Sequence, residues 1–199
     1  ISLIVVETEN LEGFRRGRNL AKIGNDMSDT SELFFDNVRV PAANLIGSEP
    51  GHGFAQMMSQ LPQERLAIAL LCQGTIDRAL ALTIDYVKER QAFGKRLLDF
   101  QNTQFVLADL KAHGMASAAF VTQCCTLHLQ GGITNELSAM MKLHVSELAC
   151  RVVDECLQLF GGYGYMTEYP IAQMYKDVRV RRILGGSSEI MKLIIARTL

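Results

Sequence analysis

Residues 134–164 read TNELSAMMKLHVSELACRVVDECLQLFGGYG, and this stretch decides the fold. Met141, Val145, Leu148, Val152, Cys156 and Leu159 recur at steps of three and four, which puts them on one stripe of an α-helix. Thr134 stands where a capping hydroxyl belongs, and Gly161, Gly162 and Gly164 stop the pattern at its other end. A helix with one long apolar stripe needs other elements to cover it. The flanking sequence supplies them. Upstream, helical spacing fits a long helix over 54–89 that is apolar on nearly all faces around Leu66 to Leu71, while Pro62, which has no amide donor, predicts a bend or a detached first turn. Phe93-Gly94-Lys95 breaks that pattern. Asp99 or Asn102 then caps a second helix through Phe105, Leu107 and Leu110 to Leu129, ended by Gly131-Gly132. Downstream, a short segment follows Pro170, and a last helix covers 187–197. Long helices joined by short Gly-containing turns favour an antiparallel helical bundle, so the expected fold class is mainly α.

Residues 1–50 read differently. Ile1-Ser2-Leu3-Ile4-Val5-Val6 is a short β-branched run, and Leu33-Phe34-Phe35-Asp36-Asn37-Val38-Arg39-Val40 is another, ended by Pro41. The pattern turns helical after Gly51-His52-Gly53, so the boundary is drawn near Pro50, with domains at 1–50 and 51–199. Two or three strands do not make a stable sheet by themselves, so the first segment is expected to be an incomplete β-domain fragment completed by upstream strands. The opening isoleucine, directly entering a strand pattern, supports that expectation.

A chain of 199 residues with 48% hydrophobic and 21% charged residues buries a sizeable core. The net charge of −1 and the absence of a long Lys/Arg run argue against a nucleic-acid partner. No apolar run approaches the roughly 20 residues a bilayer needs, so no membrane span is expected. Cys72, Cys124, Cys125, Cys150 and Cys156 form no CxxC pair, which fits a reducing compartment. His52, His113, His128 and His144 lack metal-ligand spacing.

Three turns concentrate chemistry. Glu89-Arg90-Gln91-Ala92-Phe93-Gly94-Lys95 with Phe100-Gln101 gathers a cation, an aromatic ring and an amide around one break, a set suited to an anionic, ring-bearing ligand or to an ordinary solvated helix end. Gln158-Leu159-Phe160-Gly161-Gly162-Tyr163-Gly164-Tyr165 offers bare backbone to a ligand, or a simple glycine stop. Leu184-Gly185-Gly186-Ser187-Ser188-Glu189-Ile190 opens the last helix, whose first amides suit an anion or a polarised carbonyl, and capping by Ser187 alone explains the same residues.

These three turns, in this order, resemble those of acyl-CoA dehydrogenases, as do the framing residues Asp154-Glu155, Glu168-Tyr169-Pro170 and Ile194, Ala196 and Arg197. Ser28-Asp29-Thr30 and Phe35 to Pro41 look like the end of that family's middle β domain, so the resemblance covers almost the whole chain. It implies that Arg90, Phe93 and Gln101 contact the pyrophosphate and adenosine side of FAD, partly across a subunit interface. Gln158, Gly161 and Gly162 would hold FAD from a neighbouring subunit, and Ser187 and Glu189 would complete the set. A homotetramer or homodimer follows from a shared flavin site, and electron-transferring flavoprotein is the implied electron acceptor. The compartment so implied is a bacterial cytoplasm or a mitochondrial matrix.

The family removes the α-proton of an acyl-CoA thioester while the β-hydrogen leaves as hydride, giving a trans-2-enoyl-CoA. Many members carry the catalytic glutamate just before the Gly-Thr/Ser of the last motif, and here that place is Gly185. In the long-chain and isovaleryl branches the base lies instead in a Glu-Arg pair on the first long helix. Leu61-Pro62-Gln63-Glu64-Arg65-Leu66 matches that pair, so the resemblance assigns the base to Glu64 and support of the thioester end to Arg65. A surface ion pair is the ordinary alternative for such a Glu-Arg. An enclosed carboxylate loses water and becomes a stronger base, and the Gly185 amide is the implied donor to the thioester carbonyl. The competing expectation is a non-catalytic helical oligomerisation module, or a fragment that does not hold FAD alone.

Overall fold

The computed structural model describes residues 1–199. The chain divides into two compact units, Ile1–Gln60 and Leu61–Leu199.

In the first unit, β1 (Phe14–Asn19) and β2 (Ser31–Phe35) pair antiparallel, with Phe14 opposite Phe35, Arg15 opposite Phe34 and Arg16 opposite Leu33. The register shifts between Arg16 and Asn19. Phe14 and Phe35 contact at a centroid distance of 5.1 Å, and the Arg15 guanidinium lies 4.0 Å over Phe34. The expected strand over residues 1–6 does not form; the segment makes one isolated bridge, Ile4 to Leu45. Strand pairing depends on a distant partner, and here the partner is too short to build a ladder. The second expected strand is likewise cut short, because Asn37 takes a left-handed conformation (φ 51°) that ends the extended run before Val38.

The helices follow the sequence pattern closely. They are α1 (Gly53–Glu89), α2 (Gln101–Leu129), α3 (Asn135–Phe160), α4 (Pro170–Val178) and α5 (Ser188–Ala196). The first of these continues unbroken through Pro62, so the expected detachment of a first turn does not occur. Proline removes one hydrogen bond there, and the remaining ladder of a 37-residue helix carries the chain through. Thr134 caps α3 as expected, accepting a hydrogen bond from the Leu137 amide at 3.0 Å. Neither Asp99 nor Asn102 caps α2. Phe100 holds the cap position without a side-chain bond, while Asp99 is drawn to the Arg96 amide (3.2 Å) and guanidinium (2.8 Å). Phe93 and Gly94 are the tip of a small hairpin between β3 (Gln91–Ala92) and β4 (Lys95–Arg96), both at positive φ.

Successive long helices run antiparallel, so α1 and α3 point the same way. Tyr86 near the end of α1 stacks on Phe160 at the end of α3 (4.2 Å), and Arg65 reaches Asn135 and Ser138 at the start of α3. The core combines Leu66, Ala69, Cys72, Ile76 and Leu80 from α1 with Leu107, Leu110 and Val121 from α2 and the α3 stripe. The third helix is its axis, packing on α2, α4 and α5. One expectation about apolar runs needs correction: α1 is long and apolar enough to cross a membrane by length and composition alone. With 44% of that stretch buried, part of its apolar face, including Leu66, Ala69, Cys72 and Ile76, belongs to the bundle core, while Leu70 and Leu71, which the linear pattern does not separate from them, are exposed.

The α1–α2 crossing is tight at one point. A Cβ on Gly114 would stand 3.1 Å from Ile76 Cγ2 and 3.5 Å from Leu80 Cδ1, whereas one on exposed Gly74 would meet nothing within 4 Å. Gly114→Leu is therefore expected to destabilise the bundle by about 1–3 kcal/mol, and Gly74→Ala to stabilise it by roughly 0.5–1 kcal/mol. Denaturant unfolding followed by far-UV circular dichroism measures both.

Candidate functional site

Two groups of predicted residues come together at opposite ends of the bundle. Beside the start of α3, Arg65, a third of the way along α1, is 2% exposed and aims inward. Its Nε donates to the Gly185 carbonyl at 3.5 Å, and its Nη1 donates to Asn135 Oδ1 and, at 3.4 Å, to Ser138 Oγ. Burial pushes its proton affinity down, opposed by the negative charge of Glu64. The surface ion pair is thus not the arrangement adopted. Glu64 is exposed, and its carboxylate has no hydrogen-bond or ion-pair partner. It lies one helical turn before Ile68, on the same face of α1.

Gly185 adopts φ 66° and Gly186 φ 101°, conformations that favour glycine. A Cβ on Gly185 would stand 2.4 Å from Ile68 Cδ1, so the space beside this residue belongs to the side chain one turn along from Glu64. Next in the chain, Ser187 caps α5 by accepting from the Ile190 amide at 3.5 Å. The Glu189 carboxyl is held below the usual range by its own backbone amide and by the Ser187 hydroxyl. Ser187 and Glu189 therefore serve the helix start directly.

The other end of the bundle carries a cleft of about 690 Å³ whose lining includes Tyr86, Arg90, Gln158, Gly161, Gly162 and Tyr163. The Arg90 guanidinium lies 5.3 Å from the centre of the Tyr163 ring. Gly161 (φ 58°) and Gly162 have nothing within 4 Å of where a Cβ would stand, so bare backbone faces open space. A guanidinium, a side-chain amide and unobstructed backbone suit a nucleotide diphosphate, and in that respect the residues fit FAD. Phe93 and Gln101 are not part of this lining. Phe93, 96% exposed at the hairpin tip, touches Phe100 edge-on at 6.4 Å, and Gln101 opens α2 at the surface. A bulky residue held at φ 52° and left almost wholly in solvent is costly.

Lys142 and Glu147 escape the sequence reading, as does the tie that Ser188 makes to Glu147. Lys142 is fully buried and donates to the Gly186 carbonyl at 2.7 Å. Glu147 accepts from Ser188 Oγ at 2.6 Å and pairs with Arg182 at 2.8 Å. A signal existed for the lysine: it falls one residue after Met141 and three before Val145, so it interrupts the apolar face of α3.

A family model described as "Acyl-CoA dehydrogenase, C-terminal domain" matches residues 51–199. The long-chain specific mitochondrial acyl-CoA dehydrogenase of Sus scrofa is 47% identical over 99% of this chain and 45% of its own length. Acryloyl-CoA reductase (NADH) of Anaerotignum propionicum is 40% identical over 99% of this chain and 50% of its own. Among solved structures, an acyl-CoA dehydrogenase from Geobacillus kaustophilus superimposes with a TM-score of 0.96 at 45% identity, over 99% of this chain and 51% of that one. The chain thus spans about half the length of the relatives it matches.

The turn before α5 carries a pH dependence. Burial tends to raise the Glu147 carboxyl, but hydrogen bonds from Ser188 and Arg182 outweigh it and leave it below its ordinary 4.5. A carboxyl depressed in the folded state stabilises the fold above that ordinary value and loses the effect as pH falls through its lowered value. Wild type is accordingly expected to melt above Glu147→Gln at neutral pH, with the difference shrinking below about pH 4.5. Thermal melts at stepped pH measure it.

Proposed function

The chain belongs to the acyl-CoA dehydrogenase family, and on that premise we propose that it forms the base-bearing and flavin-cradling part of an enzyme that dehydrogenates acyl-CoA thioesters, with Glu64 as the α-proton acceptor. The observation that carries this reading is the juxtaposition at Gly185. That position has no side chain, Arg65 grips its carbonyl, and the neighbouring space is filled by Ile68, which shares a helix face with Glu64. A carboxylate one turn from Ile68 is within reach of a substrate lying against Gly185. Because no partner engages it, no internal hydrogen bond must break before it accepts a proton.

FAD, when bound, supplies the two-electron acceptor for the β-hydride that leaves as the α-proton goes, so the thioester becomes a trans-2-enoyl-CoA. The chain's own residues do the rest. Glu64 takes the α-proton as the Cα–H electron pair moves into the new double bond. The Gly185 amide donates to the thioester carbonyl, stabilising enolate character at that oxygen. Arg65 keeps the turn in place from behind. Arg90, Gln158, Gly161 and Gly162 would hold the nucleotide end of FAD, with Phe93 and Gln101 at the hairpin side and Ser187 and Glu189 at the start of α5.

Length supports a site shared between subunits. Arg65 and Arg90 are 25 residues apart on and just beyond α1, about 37 Å at 1.5 Å per residue. A cofactor with its flavin ring at Glu64 and its nucleotide end at Arg90 of the same copy would have to bridge that distance. The Arg90 cleft of one copy would then serve the flavin whose ring lies at Glu64 of another, in a homodimer or homotetramer. The similarity to a long-chain specific relative favours a long acyl group, and electron-transferring flavoprotein is the corresponding acceptor.

In the flavin-loaded enzyme, Glu64→Gln is expected to leave FAD bound and to slow anaerobic flavin bleaching by a long-chain acyl-CoA by about 10²–10⁴-fold or more. Stopped-flow absorbance measures the rate, and bleaching at the wild-type rate removes Glu64 from the role. A wild-type holoenzyme that no acyl-CoA bleaches defeats the dehydrogenase reading altogether. Gly162→Val, which fills the cleft, is expected to lower retained flavin several-fold by the ratio of visible to protein absorbance.

A further inference from the structure

We propose that Lys142 is a positioning residue, which together with Arg65 holds the carbonyls of Gly185 and Gly186 inward, turns the amides of Gly186 and Ser187 outward, and thereby fixes the turn that carries the Gly185 amide as donor to the acyl carbonyl. The inference rests on the dehydrogenase reading for its functional meaning and on the turn's own geometry for its physical content.

Lys142 is the largest of the fully buried side chains, at 0% exposure. Removing an ammonium from water costs several kcal/mol, so an apolar residue of similar volume would serve the core as well or better. Its hydrogen-bond acceptor is the Gly186 carbonyl at 2.7 Å, and no carboxylate forms an ion pair with it. Arg65 does the same for the preceding peptide, donating to the Gly185 carbonyl. In a planar trans peptide the N–H points opposite to the C=O. Pulling these two carbonyls toward buried cations therefore turns the N–H groups of Gly186 and Ser187 away from the interior. No backbone hydrogen bond uses the amides of Gly185, Gly186 or Ser187. Three consecutive amides without a backbone acceptor thus lie on a turn with two positive φ angles, the kind of backbone that can present donors to an anionic oxygen.

The turn is also tied at its flanks. Arg182 before it and Ser188 after it both bind Glu147, so one carboxylate closes the loop. Lys142 and Glu147 belong to α3, and Arg65 is itself anchored to Asn135 and Ser138 of the same helix. The first half of α3 is thus the template against which the turn is set. Donors to a developing oxyanion act only if held in place beforehand. Lys142 makes the central tie, the one whose loss frees the Gly186 peptide to rotate.

The test compares Lys142→Met and Lys142→Gln with wild type in the flavin-loaded enzyme. Methionine keeps the volume and loses the donor. It is expected to keep the melting temperature within a few degrees and retain flavin, while the bleaching rate constant with acyl-CoA falls about 10–100-fold and the half-saturating acyl-CoA concentration changes less than about threefold. Hydrogen–deuterium exchange over 183–188 should rise about tenfold or more while α1 and α3 stay protected, a readout independent of turnover. If the methionine variant does not fold, the glutamine variant, neutral and one atom shorter, decides, with the same two changes expected in smaller degree. A folded variant that bleaches at the wild-type rate with unchanged exchange overturns the inference. So does failure of both variants to fold, which assigns Lys142 to the core alone. Should acyl-CoA bleach no form of the enzyme, the dehydrogenase reading fails, and the exchange comparison still decides the clamp.

Discussion

Two cations inside a helical core, Arg65 and Lys142, hold backbone carbonyls where carboxylates would be the ordinary partners. Everything that distinguishes the turn before α5 depends on that choice. A buried carboxylate would satisfy the charge without ordering the backbone, whereas a carbonyl acceptor transmits the constraint to the peptide plane. The cost of burying the charges is met by packing elsewhere in the bundle, since Ile76, Met141, Val145, Val152 and Cys156 around the same helices are wholly enclosed. Stability and the geometry of the site are thus carried by different residues on the same helices.

The parallel course of α1 and α3 gives the bundle two unlike ends. One end gathers Glu64, Arg65, Gly185 and the start of α3, a set of charges and free amides around a turn. The other gathers Tyr86, Arg90, Phe160, Gly161 and Tyr163 around an aromatic-walled cleft. Their separation along α1, about 37 Å by helical rise, is a direct consequence of helix length.

Much of this was legible in residue order. The helix spans, the Thr134 and Ser187 caps and the α3 stripe are local properties, set by hydrogen bonds and periodicity within a few residues. The resemblance to a known family rested on three short turns that are also local. What misled was non-local. Ile1 to Val6 has the composition of a strand but finds only one bridge. Asp99, by contrast, is lost as a cap to a local competitor, Arg96 three residues before it. The partners of Lys142 and Glu147 are not encoded locally, because nothing in their neighbourhood names the carbonyl or the serine that awaits them more than forty residues on.

By itself, then, the sequence determined a mainly helical chain, the places where its helices start and stop, and the absence of a side chain at position 185. Each follows from backbone hydrogen bonding and side-chain volume along a short stretch. Only the tertiary structure decided that Arg65 faces inward while Glu64 stays free, that Ile68 occupies the space beside Gly185, and that Lys142 meets Gly186. Those outcomes depend on which helix faces meet across the core. Packing settles that through contacts between residues far apart in the chain, and no local pattern encodes the direction in which a buried cation will find its acceptor.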